Sequence, residues 1–344
     1  MESTEGLKEA VLWDPADGGR VRCKLCSFRC LIDDGKLGHC SVRQNLGGTL
    51  YSLNYYKICA ANPDPIEKKP MFHFQPGSQT FSIATMGCNF RCEFCQNWQI
   101  SQAALDTGVL DGQAYLPDEI VQAARRSKCK SIAYTYTEPT IFMELCADCG
   151  KLAKEAGLAN VFVSNGYMTR EAIDFAAPWL DGINVDLKGF ADDYYQRLCK
   201  ARLAPVMDTI SYIAKETRIW MEITTLLLPD ENDSEEELMR LASWLVEAAG
   251  PDVPWHISRF HPQYKYQGAR ATPLESLERA ERIGKQAGLR YVYMGNVPGS
   301  PSESTHCYHC GNLLIERMGY HVLKNVIKDS KCPKCGTKIA GFWI

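Results

Sequence analysis

The residues best placed to do chemistry are Cys88, Cys92 and Cys95, spaced C-x3-C-x2-C within Met86-Gly87-Cys88-Asn89-Phe90-Arg91-Cys92-Glu93-Phe94-Cys95-Gln96-Asn97. They follow directly on a β-rich run at 80–85. A structural zinc site takes four protein ligands, and so does an ordinary iron–sulfur cluster. Here the local count stops at three. A [4Fe–4S] cubane held by three thiolates leaves one iron open to a substrate or cofactor.

Eleven of the sixteen cysteines fall into three tight groups, of which this loop is one. Cys307, Cys310, Cys332 and Cys335 form two C-x2-C-G knuckles, each with a glycine that can supply the positive φ of a metal turn. This pattern reads as a zinc ribbon, with iron or a redox dithiol as the alternatives. Cys23, Cys26, Cys30 and Cys40 form an N-terminal block too short to bury a core of its own, and a metal would staple it. Zinc is the preferred occupant and a second [4Fe–4S] cluster the rival; scattered thiols are the bland alternative. Cys146 and Cys149, with Cys59, Cys129 and Cys199, read as structural or incidental thiols.

Composition narrows the class. Apolar residues make up 45% and charged residues 23% of 344, the profile of a globular chain with one large domain and small appendages. A net charge of −3 gives no electrostatic footprint for nucleic acid. No apolar run reaches the length of a membrane span. Residues 1–5 are acidic and do not read as an export signal, so the cysteines point to metals in a reducing, low-oxygen cytoplasm.

The elements that must position these groups alternate. Candidate strands at 80–85, 131–136, 160–164, 182–187, 218–226, 254–259 and 290–294 are separated by helical patterns such as 118–127, 141–156, 170–177 and 234–249. The expectation is an α/β fold, a full or partial (β/α) TIM-type barrel, over 76–300. It is flanked by a cysteine-rich metal-binding region at 1–75 and a ribbon-like module at 301–344. Pro63, Pro65 and Pro70 mark a linker or an extended crossing segment. Polar residues recur where strands end: Tyr136-Thr137-Glu138-Pro139, Ser164-Asn165-Gly166, Asp186-Leu187-Lys188, Glu222 and Thr224, and His256 through His261. In a parallel barrel such ends share one mouth.

The cysteine loop, these strand ends and the terminal knuckles together resemble the pyruvate formate-lyase-activating-enzyme-like branch of the radical S-adenosylmethionine (SAM) superfamily. The N-terminal cysteine block and Tyr-Thr-Glu-Pro are similar to the radical SAM member of the AmmeMemoRadiSam group. The resemblance implies that Cys88, Cys92 and Cys95 ligate a [4Fe–4S] cluster whose open iron chelates SAM. An electron, from a donor such as flavodoxin or ferredoxin, then cleaves SAM to a 5′-deoxyadenosyl radical that abstracts hydrogen from a small molecule, peptide or protein. Glu138 stands where the family has the acid of a Gly-Gly-Glu motif, with Tyr136-Thr137 in place of the glycines. Asn165 matches a polar position near SAM. Asp186 and Lys188 match an Asp-Leu-Lys motif lining the SAM and substrate space, and His256 a histidine near the SAM ribose or adenine.

Each residue has a plainer alternative. Glu138 could cap the helix that follows it. Asp186 and Lys188 could pair with each other, since i and i+2 of a strand share a face. His256 could be a satisfied core histidine. Arg259 and His261 are weaker substrate candidates, and Trp98, Tyr134, Tyr136 and Tyr167 could stack on adenine or simply pack. An activase for a glycyl-radical enzyme and a non-catalytic zinc adaptor are the competing functions.

Overall fold

The computed structural model describes residues 6–297 and 299–343; residues 1–5, on which the export-signal reading rests, lie outside it. Seven parallel strands form in chain order: β1 (Gln79–Thr85), β2 (Ser131–Tyr134), β3 (Ala159–Ser164), β4 (Gly182–Asp186), β5 (Trp220–Leu227), β6 (Trp255–Arg259) and β7 (Val292–Gly295). Each is nearly continuously buried, as strands covered on both faces must be. Helices α1 (Pro117–Arg126), α2 (Met143–Glu155), α3 (Arg170–Ala176), α4 (Leu203–Glu216), α5 (Glu235–Ala249) and α6 (Leu274–Gln286) wrap the outside. Their starts follow local chemistry. Pro117 opens α1, while Thr169 and Ser234 accept from the N–H groups of Ala172 and Glu237 to cap α3 and α5.

The sheet stays open. Among the described residues β7 pairs with β6 alone, and β1 is flanked on its other side by the antiparallel strand Lys57–Pro65. The fold is therefore a partial barrel. Of the two readings for the proline-marked stretch, the crossing segment is the one realised. Pro63 and Pro65 face Phe81 and Gln79 of β1, with no partner strand on their far side among the described residues, where a missing N–H costs nothing.

The floor is plugged by the residues after this strand. Backbone N–H groups of Phe72 and His73 donate to the Glu222 carboxylate at 2.9 and 2.8 Å, and Phe74 packs against Ala133 and Val161. The C-terminal module, a three-stranded sheet of Thr305–His306, Leu313–Met318 and His321–Asn325, docks on this plug. Arg317 donates to the Phe72 carbonyl at 2.7 Å, Gln75 N donates to the Phe342 carbonyl at 2.8 Å, and Phe342 N donates to the His73 carbonyl at 2.7 Å. The N-terminal region packs elsewhere, on the barrel wall at α2 and at the turn after β3, through the buried Arg43–Glu144 ion pair and a Ser27 N to Tyr167 O bond of 2.9 Å. No helix among the described residues is long and apolar enough to cross a membrane.

Candidate active site

The loop after β1 carries the three cysteines into the barrel mouth. Gly87 starts it with φ +108°, and a Cβ there would lie 2.7 Å from Val42, so the tight approach to the N-terminal region requires glycine. Further on, the loop is pinned by a π-helical turn, Tyr195–Cys199: the N–H groups of Arg91 and Glu93 both donate at 3.0 Å, to the Cys199 and Leu198 carbonyls. π-turns of this kind recur at functional sites. Cys199, read from sequence as structural or incidental, stands beside Cys92.

Cys88, Cys92, Cys95, Glu138, Asn165, Asp186, Lys188 and His256 all line one cavity of about 490 Å³. That volume lies in the range of cofactor and small-ligand sites. The plainer alternatives are realised alongside. Glu138, 1% exposed, caps the turn Pro139–Phe142: its Oε1 accepts from Thr140 N, Thr140 Oγ1 and Ser164 Oγ at 3.1, 2.5 and 2.8 Å. Its Oε2 accepts from Asn165 N at 2.8 Å, which ties the end of β2 to that of β3. Asn165 in turn donates to Asn89 of the cysteine loop at 2.7 Å. Lys188 pairs with Asp186 at 2.8 Å. Burial pushes the Lys188 ammonium down, but the charges of Asp186, Cys92 and Cys199 outweigh it and hold the ammonium well above its ordinary range. His256 donates to Glu222 at 2.7 Å, so its ring is fixed by the floor network while still bordering the cavity.

Tyr136 stands where the resemblance leads one to expect glycine, and its φ is +66°. A left-handed tyrosine costs on the order of 1 kcal/mol, offset here by its hydroxyl donating to Asp64 and its carbonyl accepting from Asn97 at 2.8 Å. Tyr136 lines the cavity. Tyr134 and Tyr167 do not: one is buried against Phe162 and Trp179, the other between Phe28 and Phe90. Both side chains are buried in the wall. Trp98 stacks on Tyr264 and Arg259 bonds the Thr272 carbonyl, while His261 is exposed.

Sequence reasoning missed the open side of the cavity. Lys68, Lys69 and Phe72 from the plug, Asn296 after β7, and Glu303, Gly319 and Tyr320 from the C-terminal module border it. The Lys68-Lys69 pair was legible only as part of a presumed linker. Both lysines reach Asp64 at 2.8 Å, and burial brings the Lys69 ammonium down to about 8.

The cysteine chemistry fits an iron–sulfur cluster. Burial pushes the Cys88 and Cys95 thiols up, and Cys92 is raised first by the neighbouring Cys199 thiol and then by burial, so a cationic group is needed to hold them as thiolates. Phe90 N already donates to Cys88 Sγ at 3.3 Å. In the C-terminal module, by contrast, the four cysteine sulfurs all lie within 4.8 Å of one another.

A partial parallel barrel with three cysteines in the loop after its first strand defines a class, and the chain belongs to the radical SAM superfamily. The family model described as the Radical SAM superfamily matches residues 82–242. An uncharacterized protein of Methanocaldococcus jannaschii is 43% identical over 97% of this chain and 99% of its own length. The pyruvate formate-lyase-activating enzyme of Listeria monocytogenes is 28% identical over 58% of this chain and 84% of its own. A radical SAM methyltransferase from Sphaerobacter thermophilus, 19% identical, shares the fold with a TM-score of 0.51 over 70% of this chain and 71% of that one.

Proposed function

We propose that the chain is an enzyme that binds a [4Fe–4S] cluster and SAM in the barrel mouth and acts on a substrate entering from the open side. The observation that carries this reading is the convergence of the three loop cysteines, the Glu138–Asn165 shelf and the Asp186–Lys188 pair on a single cavity. Bound there, the cluster and SAM would supply reductive cleavage to a 5′-deoxyadenosyl radical able to abstract hydrogen. The protein's part is position and exclusion. Cys88, Cys92 and Cys95 hold the cluster. Glu138 and Asn165, locked to each other, present acceptors to an amino group. Asp186 and Lys188 present a fixed pair of opposite charges, and His256 walls the cavity against the floor. We assign zinc to the all-thiolate C-terminal site, and we divide the chain functionally at residues 75 and 300, although Lys57–Pro65 is physically part of the barrel sheet.

The test is Cys92→Ala, reconstituted anaerobically with iron, sulfide, SAM and dithionite. The expected outcome is loss of all 5′-deoxyadenosine formation; formation at the native rate rejects the reading.

A second reading, activation of a partner glycyl-radical enzyme, is favoured by the Listeria relative and by the rim of the cavity. There Tyr320, 45% exposed, borders the opening, and Met318 and Leu323 of the same module are 59% and 57% exposed. Exposed apolar side chains at a mouth suit a protein substrate. A glycyl radical appearing by electron paramagnetic resonance in a co-encoded partner would select this reading.

A further inference from the structure

The N-terminal block has the cysteine count of a zinc site, yet its geometry and surroundings differ from those of the C-terminal module. In that module Cys307 and Cys335, and Cys310 and Cys332, bring their sulfurs to 3.7 Å. That is the edge, about 3.8 Å, of a tetrahedron whose metal–sulfur bonds are about 2.3 Å. Among the described residues this is the set of cysteines whose sulfurs all fall within 4.8 Å. Cys23, Cys26, Cys30 and Cys40 converge more loosely. Cys23 and Cys40 share one buried cluster with Cys30 packed against it, and Cys23 N donates to Cys30 O at 2.9 Å, but no three of the sulfurs come within that limit. The three barrel-loop cysteines share this looser spacing. A single ion needs its thiolates in contact with one centre. A cubane sets each thiolate on a different corner and spaces them apart.

The donors around the block point the same way. Arg43, 1% exposed, places Nη1 3.6 Å from Cys23 Sγ, and its Nε is buried without a partner. Arg91, one residue before Cys92 in the barrel loop, donates to the carbonyl of His39, the residue before Cys40, at 2.6 Å, and leaves Nη1 buried and unpartnered. A guanidinium can only donate, so each orphaned N–H requires an acceptor. A zinc ion brings none beyond its four thiolates. An iron–sulfur cluster brings inorganic sulfides that accept hydrogen bonds. His39 N also donates to Cys30 Sγ at 3.5 Å, the kind of bond that stabilises a ligating sulfur.

We propose that Cys23, Cys26, Cys30 and Cys40 hold a second polynuclear iron–sulfur cluster of the [4Fe–4S] type, against the zinc that spacing alone favoured. Arg91, which reaches toward both cysteine sets, makes the two sites neighbours. The assignment stands independently of what happens in the barrel.

The test therefore removes the barrel site. The full chain carrying Cys88→Ala, Cys92→Ala and Cys95→Ala is reconstituted anaerobically with ferrous iron and sulfide, then assayed for iron, acid-labile sulfide and zinc, and by electron paramagnetic resonance after dithionite. The expected result is about four irons and about four sulfides per chain, with a reduced-cluster signal. Two zinc ions per chain without labile sulfide, or no metal beyond that of the C-terminal module, overturns the proposal. Cys30→Ala with Cys40→Ala in the native background is the converse. It should lose about four irons and keep the C-terminal metal, and loss of one zinc with iron unchanged rejects the site. If the native chain and the triple variant both hold about four irons, the N-terminal assignment stands and the barrel reading falls.

Discussion

Cys307, Cys310, Cys332 and Cys335 draw their sulfurs together in a small fold of their own, whereas Cys23, Cys26, Cys30 and Cys40 converge as part of the barrel's wall. The C-terminal set sits in a three-stranded sheet whose core of Leu314, Ile315 and Ile339 is continuous with Phe72 of the plug and Tyr291 and Tyr293 of the barrel. It touches the barrel floor through Arg317, His73 and Phe342. The N-terminal set borders the cysteine loop itself, through Arg91 and through Val42 against Gly87. Cysteine count is equal in the two. What differs is the company: the C-terminal sulfurs partner one another, and the N-terminal ones sit among charged donors. The first arrangement fastens a module that also borders the open side of the cavity, and the second lies against the cysteine loop.

Breaking the proposed metal site of the C-terminal module should have the largest effect. Cys332→Ser removes a ligand from a site whose binding energy, on the order of 10 kcal/mol for structural thiolate sites, is folding energy. The expected outcome is rapid proteolysis within 305–343 and a lowered thermal midpoint for the remainder, because the plug loses Arg317 and Phe342. A module that stays protease-resistant without metal would refute the mechanical role.

The equivalent break for the N-terminal region is its buried ion pair. Glu144 Oε1 accepts from Val11 N at 2.8 Å and pairs with Arg43 at 1% and 0% side-chain exposure. Glu144→Ala strands a buried guanidinium and should cost about 3–5 kcal/mol, read as a shift in the denaturation midpoint. A change below about 1 kcal/mol would mean that the region is held by packing alone.

The two junctions should also differ with pH. His73 Nδ1 lies 2.7 Å from the Ala340 carbonyl, which can only accept, so Nδ1 carries the proton and Nε2 accepts from the Tyr293 hydroxyl at 2.6 Å. The ring is neutral, and burial brings it down to about 4. Between 6.5 and 4 the unfolded chain therefore binds the extra proton. Stability is fully present above 6.5 and is lost as pH falls toward 4, by about 3 kcal/mol. His73→Gln should flatten that slope in acid melts. A slope unchanged by the substitution would place the sensitive group elsewhere. At the N-terminal junction burial pulls Arg43 down, but the Glu144 charge outweighs it and holds the guanidinium above its ordinary range, so that cation persists through the same window.

Strand–helix alternation made all seven barrel strands legible, because a covered parallel strand reads as an unbroken apolar run and its polar tail marks the mouth. Three features were beyond that reach. The open side of the cavity is built from Lys68, Lys69 and Tyr320, residues contributed by segments far apart in the chain. Tyr134 and Tyr167 sit at the right sequence positions for the mouth, but a single side chain's direction depends on wall partners such as Asn160 and Phe28. Glu222 looked like one more polar strand residue; its role in fastening the floor depends on the N–H groups of Phe72 and His73, about 150 residues away. Lys57–Pro65 shows the converse, since prolines signal irregularity until an edge position makes them harmless.

The smallest difference between the two cysteine sets is in backbone strain. After the second cysteine of each C-terminal knuckle stands a glycine, Gly311 at φ +70° and Gly336 at φ +74°, whose N–H donates to the carbonyl of the first cysteine at 2.8 and 2.9 Å. After Cys40 stands Ser41, at φ +59°, donating to the Gly38 carbonyl at 2.9 Å. The turn is of the same left-handed kind, but here a side chain bears the steric cost of about 1–2 kcal/mol that glycine avoids. Ser41→Gly should recover part of this, up to about 1 kcal/mol after the larger chain entropy glycine gives up on folding. Gly336→Ala should lose a similar amount. Opposite shifts in the denaturation midpoint of the metal-loaded protein are the expected outcome. If Ser41→Gly lowers the midpoint as Gly336→Ala does, the serine hydroxyl outweighs the strain. The N-terminal turn would then be held by a polar contact, as its cysteines are held among donors, with strain a secondary cost.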